Sequence, residues 1–465
     1  LGTAIVCIAL AASLAFAALT LSSRPLENTE GCVLFEASRI RAGLPLYTDP
    51  VVGANEYGEV PARYYVVYPP IWAFLLSAWP EGLASRAGRA MSIFVWYGVL
   101  FWLGWVAHRR KRPAGVLAAA FVGGVYTLTL YGASLRPDAL AVGLAAIAFA
   151  RAVRANEAGP LEAGLFTLAA WMKPNVIGLG MGVAMHAARR GARARWTFGA
   201  GLLVGATILV FIHHASRGSW LLHLASATLQ PWNFHQWALQ ISTRAPFFAL
   251  PIAFALWSGV SPRTGRGPRV AALALTTSLA CTLVSLGKVG SATCYWMEPC
   301  MGAVVVLAHF PLPRLSPRSK TAIAVAVPLQ ALWTGVASVR SSLESIADAP
   351  EKKRVLGELR RRLPSGSLLL SDDAGIELAL SGRLIDTPFQ TTQLIRRGRF
   401  PEALWIADVT NSRIAGLVTD SDLLERPLTL TDPARDRYDV TLRRVLRNEL
   451  VLARREAGLY IYSRR

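Results

Sequence analysis

The stretch that decides the fold is LGTAIVCIALAASLAFAALTLSS, residues Leu1–Ser23, which runs into Arg24-Pro25-Leu26-Glu27-Asn28-Thr29-Glu30. The first 23 residues carry no charge, enough for one helix to cross a bilayer. Two carboxylates follow at once, held at the boundary by that helix. Carboxylates at such a depth are costly and usually functional. A secretory signal peptide is the other reading of the run. Against it, no basic region precedes the run and many further apolar runs follow.

Blocks of the same kind recur as far as Val339. Within them are eleven Asp and Glu, seven of which lie between Glu27 and Glu81: Glu27, Glu30, Glu36, Asp49, Glu56, Glu59 and Glu81. Asp138 and Glu298 stand beside later apolar runs. Basic residues gather in every second loop: Arg109–Arg112, Arg151 and Arg154, Arg189–Arg195, Arg263–Arg269, and Arg314–Lys320. That spacing is the positive-inside pattern, and it sets orientation. It also accounts for the net charge of +20 without nucleic acid, which would want one basic face with aromatic platforms.

The expected fold is a polytopic α-helical membrane protein of about eleven crossings. These lie near 2–22, 89–107, 113–132, 138–153, 161–172, 174–188, 197–213, 245–259, 269–286, 295–310 and 321–338. A first outer segment, 24–88, contains a short helix near Cys32–Ala42 and a juxtamembrane helix at Ile71–Trp79, bounded by prolines and too short to cross. With this count every arginine-rich loop is inside and nine of the eleven acids are outside. Cys32 and Cys294 both face outward, which allows a disulfide.

After Val339 the composition changes: 22 Lys and Arg stand against 18 Asp and Glu, and long apolar runs stop. Residues 339–465 read as a small α/β domain on the outer side, following a membrane domain of residues 1–338. Its strands are expected at Ser367–Leu370, Leu384–Ile385, Ile414–Thr419, Leu450–Ala453 and Gly458–Tyr462, with helices between. Ser371-Asp372-Asp373-Ala374-Gly375 follows a strand and opens a helix. It is either a ligand loop at a strand's carboxyl end or a capped turn.

Several short motifs share one resemblance. Glu30-Gly31-Cys32-Val33-Leu34-Phe35-Glu36, Ala42-Gly43-Leu44-Pro45-Leu46-Tyr47, Tyr68-Pro69-Pro70, Arg136-Pro137-Asp138, Lys173-Pro174-Asn175 and Gly287–Pro299 occur in this order on matching helix ends. Together they resemble the GT-C superfamily of membrane glycosyltransferases. The likeness is to the bacterial branch of protein O-mannosyltransferases and lipid A aminoarabinose transferases. It implies a sugar donor linked to polyprenyl phosphate. It implies Glu30 as the base toward an acceptor hydroxyl, with Asp138 assisting. Where many relatives carry Asp-Glu this chain has Thr29-Glu30, so Glu30 has to serve for the missing acid. Val66-Val67 stands where some relatives carry Glu-Lys and use the Glu as a metal ligand.

Arg136, Lys173 and Lys288 are the expected cations for the phosphate of the leaving group, with Tyr68 and Glu298 beside them. Snorkelling to the interface is the alternative for the cations, helix-start placement for Asp138, and pairing with Lys288 for Glu298. His213, His214 and His235 are weak candidates for a divalent cation, since their spacing matches no standard site. Trp220, Trp232 and Trp237 either stack on sugar or lie in the aromatic belt.

The sequence thus points to a glycosyltransferase of the bacterial inner membrane. Its active face is extracytoplasmic and its acceptor a lipid, glycan or protein. A transporter or flippase for a lipid-linked sugar, or a degenerate scaffold of the same fold, is the competing reading. A transporter should set polar groups near the midplane of broken helices, whereas these charges gather at one boundary.

Overall fold

The computed structural model describes every residue except 1, 22–23, 55–59, 229, 261–267, 313–324, 328, 334–335, 337–346, 365 and 429–436. The expected crossing at 321–338, the basic residues Arg263, Arg266, Arg314, Arg318 and Lys320, and the acids Glu56 and Glu59 lie largely or wholly outside the described residues.

The chain begins with α1 (Gly2–Thr20), α2 (Asn28–Arg41), α3 (Ile71–Ser77) and α4 (Glu81–Arg109). The bundle continues through α5 (Pro113–Gly124), α6 (Tyr126–Gly132), α7 (Asp138–Ala155), α8 (Pro160–Met172), α9 (Gly178–Ala188) and α10 (Ala192–Ala215). Then come α11 (Ser219–Thr228), α12 (Phe234–Arg244), α13 (Ala249–Val260), α14 (Pro268–Leu286) and α15 (Met297–His309). Among the described residues, three helices are singly long and apolar enough to cross a membrane, and two bent helix pairs add up to two more. The segment His213–Trp237, between the expected crossings at 197–213 and 245–259, is mostly helical.

Of the expected crossings, one breaks within its run and another starts late. The 113–132 run bends by 72° between α5 and α6, where Val125 takes an extended conformation. Gly123 and Gly124 weaken the helix there. The Gly123 carbonyl accepts instead from the Thr129 hydroxyl at 3.1 Å and the Tyr97 hydroxyl at 3.4 Å. The 174–188 run becomes helical only at Gly178, because Lys173 precedes a proline and is held extended.

Glycine spacing sets how closely helices meet. A Cβ on Gly178 would stand 2.4 Å from the Ser278 Cα, and one on Gly182 2.3 Å from the Ala274 Cα. Small residues four apart on both helices let the α9 and α14 backbones touch, the usual device where lipid removes the hydrophobic drive between helices. α15 is buried along its whole length at the centre of the bundle. Basic loops gather at one end: Arg110 lies near Arg112 and Arg154, and His186 sits among Arg189, Arg190 and Arg269.

Residues from Ala349 on form a four-stranded sheet, β1 (Leu368–Ser371), β2 (Ile414–Thr419), β3 (Leu450–Glu456) and β4 (Leu459–Arg464), in the order β1-β2-β4-β3. β1 and β2 are parallel; β4 runs antiparallel to β2 and β3. The helices are α16 (Ala349–Arg362), α17 (Ala374–Ser381), α18 (Pro388–Ile395), α19 (Glu402–Thr410) and α20 (Val440–Glu449).

Leu384–Ile385 forms no strand of this sheet. Its neighbour Asp386 instead makes an isolated bridge with Arg63, whose amide donates to the Ile385 carbonyl at 2.6 Å. The first outer segment thus packs into the sheet unit. Val60 and Tyr65 sit in the core of the sheet unit, and Cys32, Phe35, Tyr64 and Val66 pack with Ala374 and Leu384. The start of α2 and the start of α17 meet through glycines: a Cβ on Gly31 would lie 2.4 Å from the Ala374 carbonyl carbon, and one on Gly375 2.3 Å from the Leu26 oxygen. The Ala374 amide donates to Asn28 Oδ1 at 2.9 Å.

Candidate active site

A cavity of roughly 570 Å³ opens between the bundle and the sheet unit, at the end of the bundle away from the arginine-rich loops. Its bundle side is cationic. Asp138 opens α7 and is wholly buried. It forms an ion pair with Lys173, and its Oδ2 lies 3.5 Å from Arg136 Nε. The Arg136 guanidinium also donates to the Tyr68 hydroxyl at 3.1 Å and to Glu27 Oε1 at 3.4 Å, and it stacks over Tyr131 at 4.8 Å. Lys173 Nζ reaches Cys294 Sγ at 3.3 Å and lies over the Tyr295 ring.

Arg136, Lys173, Lys288 and Tyr68 all line the cavity. Arg136 Nε and Asp138 Oδ2 are buried and make no hydrogen bond beyond their mutual 3.5 Å ion pair, so the cluster is not saturated. Lys288 sits in the turn after α14. Burial, and then the charge of Arg397, push its ammonium pKa down to about 8.

Glu30 belongs to the same end of the bundle but not to the cavity wall. Its Oε1 accepts from Arg89 Nε at 3.0 Å and from the Leu135 amide at 2.7 Å. Its Oε2 accepts from Arg89 Nη2 at 2.5 Å and from the Glu27 amide at 3.2 Å. Arg89 is in turn spent on the Thr20, Arg24 and Pro25 carbonyls. Burial alone would raise the Glu30 carboxyl, but the opposing Arg89 charge and its hydrogen bonds hold it below the usual value. Glu30 is thus half of a closed ion pair that ties α2, α4 and the Leu135 turn together. Its neighbours Asn28 and Thr29 face the cavity instead.

Glu298 lies elsewhere. It accepts from the amides of Gly178 at 3.3 Å and Leu179 at 2.9 Å, capping α9 rather than pairing with Lys288. The histidines do not gather: among the described residues no three His, Cys, Asp or Glu are placed to hold a metal ion. His213 and His214 contact each other, and His235 is exposed. His223 is structural: its Nδ1 accepts from the Val66 amide at 2.9 Å, which leaves Nε2 to donate to the Thr48 carbonyl at 2.7 Å. Trp232 and Trp237 donate to the Val284 and Leu283 carbonyls. Cys32 and Cys294 are free thiols.

The sheet unit forms the facing wall, with Asp372, Asp420, Arg437 and Phe389. Nothing in the spacing of the sequence announced Arg437 or Asp420 there; Asp372 stood in the loop read as either a ligand loop or a capped turn. A second, apolar groove of roughly 820 Å³ runs between α8, α9 and α10, lined by Phe166, Trp171, Met181, Phe198, Leu209 and Trp220. Pro174, next to Lys173, lines both spaces.

No protein-family model and no curated protein matches this chain. Solved structures do. The chain is similar to ArnT from Cupriavidus metallidurans bound to undecaprenyl phosphate, with a TM-score of 0.58 at 13% identity over 99% of this chain and 97% of that one. ArnT from the same organism in the apo state gives a TM-score of 0.56 at 15% identity over 99% and 98%. The likeness spans bundle and sheet unit alike, and the chain therefore has the ArnT fold.

Proposed function

We propose that this chain is an integral membrane glycosyltransferase that moves a sugar from a polyprenyl-phosphate donor to an acceptor hydroxyl on the extracytoplasmic face. The observation that carries this reading is the junction at Pro174, where a cationic cavity meets an apolar groove. A phosphate esterified to a long isoprenoid needs both: cations for the phosphate and an apolar channel for the chain. ArnT, whose fold this chain shares, has been solved with undecaprenyl phosphate.

In this reading Arg136 and Lys173 bind the phosphate and stabilise the charge that builds on it as the glycosidic bond breaks. Asp138 holds both cations in place through its ion pairs. Tyr68 fixes the Arg136 fork by its hydroxyl. Lys288 approaches from the turn across the cavity and adds a third positive charge. Glu30 acts by positioning: it grips the Leu135 amide, one residue before Arg136. A general base needs a carboxylate oxygen facing the acceptor, and both Glu30 oxygens are engaged elsewhere.

The test is a transfer assay in membranes with radiolabelled polyprenyl-phosphate sugars. Wild-type membranes should move label to an acceptor, and Lys173→Met should lower the rate at least ~100-fold, the loss typical when one charge-stabilising donor is removed. Wild-type membranes that move lipid-linked sugar between vesicles and transfer none would contradict the reading.

A further inference from the structure

The two walls of the cavity are charged differently. The bundle wall offers the cations Arg136, Lys173 and Lys288; the sheet wall offers the acids Asp372 and Asp420 together with Arg426 and Arg437. In the loop Ser371-Asp372-Asp373 the two aspartates are used differently. Asp373 is a helix cap: its Oδ1 accepts from the Gly375 amide at 2.8 Å and the Ile376 amide at 3.2 Å. The Asp373 amide is itself bound by the Ser371 hydroxyl at 3.1 Å.

Asp372 caps nothing. Its Oδ2 lies 3.3 Å from Arg437 Nη1, while its Oδ1 has no hydrogen-bond partner although the residue is 3% exposed. A buried carboxylate oxygen left without a donor is expensive and marks a place where a ligand can supply one. The carboxylate sits at the end of β1, where parallel strands commonly present ligand-binding groups.

The geometry points to Asp372 as the general base of the transfer reaction, supplied by the sheet unit in place of an acid from the first loop, where this chain has Thr29. The proposal rests on the glycosyltransferase reading. The acceptor hydroxyl gives its proton to Asp372 Oδ1, and its oxygen bonds to the anomeric carbon of the donor sugar. The bond from that carbon to the phosphate oxygen breaks, and its electron pair leaves with the polyprenyl phosphate, held by Arg136 and Lys173.

Arg437, Asp373, Asp420 and Tyr438 surround Asp372 on its own side, and the three bundle cations face it across the cavity. Burial pushes the Asp372 carboxyl up to about 7; Arg437 opposes this, and Asp420 and Asp373 add to it. A base works best with a pKa near the working pH. Protonated below that value and charged above it, Asp372 gives an activity that rises as pH rises through about 7.

The experiment uses the full chain in membranes and compares wild type, Asp372→Asn and Asp372→Glu for transfer, for pH profile and for binding of sugar-free polyprenyl phosphate. The expected result is a loss of ~100-fold or more in kcat for Asp372→Asn, in the range of general-base removal. Polyprenyl-phosphate affinity should stay within about twofold. Asp372→Glu should recover part of the rate with a displaced acidic limb. Transfer by Asp372→Asn within about threefold of wild type would overturn the assignment and leave the glycosyltransferase reading standing. Joint loss of transfer and lipid binding would mark a structural role and overturn it too. No transfer by the wild type takes both readings down.

Discussion

Two buried ion pairs stand at the same end of this bundle, and they differ in what they leave over. Glu30 and Arg89 are complete: four hydrogen bonds end on the carboxylate, and the guanidinium also binds three backbone carbonyls. Asp138, Arg136 and Lys173 are held more loosely: Arg136 Nε and Asp138 Oδ2 face each other at 3.5 Å without a hydrogen bond, and both cations line the cavity. A satisfied buried pair holds structure. An unsatisfied one beside a cavity holds capacity for a ligand. Acids that look alike in the sequence, each at a helix start beside an apolar run, are separated by this difference in use.

The sharpest way to break the contrast is to swap the damage. Asp138→Asn should lower transfer by about 100-fold or more, since loss of one member of the cationic site misplaces the others. Stability should fall as well, because Lys173 and Arg136 lose their buried counter-charge, so the rate is read per folded molecule. Transfer per folded molecule, taken with a folding readout such as detergent-solubilised monomer yield, checks this. A rate within threefold of wild type would remove Asp138 from the mechanism.

Glu30→Gln should cost stability and largely spare the rate. Breaking a buried pair by removing one partner costs ~3–5 kcal/mol, and here it leaves Arg89 charged and enclosed. Thermal unfolding should move down sharply while transfer per folded molecule falls less than tenfold. A large loss of rate at unchanged stability would return the base to Glu30. The pair's stability has a pH signature. Glu30 is held below its ordinary pKa, so its contribution is present above the unfolded value and lost as pH falls through the folded one. Acid should therefore destabilise wild type more than Glu30→Gln.

A smaller effect tests the seam between bundle and sheet unit. Gly31→Ala places a Cβ where the Ala374 backbone already stands. Strain of this kind costs ~1–3 kcal/mol. Protease susceptibility of the sheet unit should rise, and a variant as resistant as wild type would mean the two units can slide apart freely. Smaller still is the pH dependence of Lys288. With its ammonium pKa pushed down to about 8, polyprenyl-phosphate affinity should fall as pH rises through about 8, and Lys288→Met should flatten that limb.

Much of the fold was legible because its signals are local. Apolar runs, prolines and basic loops fixed the helix starts at Ile71, Asp138 and Pro160 to within a residue or so. The alternation after Ala349 fixed β2 and the β3–β4 hairpin closely. The break at Val125 was not legible: no proline marks it, and it depends on the hydroxyls of Tyr97 and Thr129, one of them on another helix. The site divides in the same way. Arg136, Asp138 and Lys173 stand at helix ends, so hydropathy alone placed them on one boundary. Which acid is free and which is spent depends on Arg89, 59 residues from Glu30, and on Arg437, 65 residues from Asp372. No spacing rule joins those pairs.

The most direct measurement of the central claim is binding of sugar-free polyprenyl phosphate to purified protein, compared across Lys173→Met, Glu30→Gln and wild type. The account predicts that wild type binds, that Lys173→Met weakens binding tenfold or more, and that folded Glu30→Gln binds as wild type does. Equal affinity in Lys173→Met and wild type would contradict it.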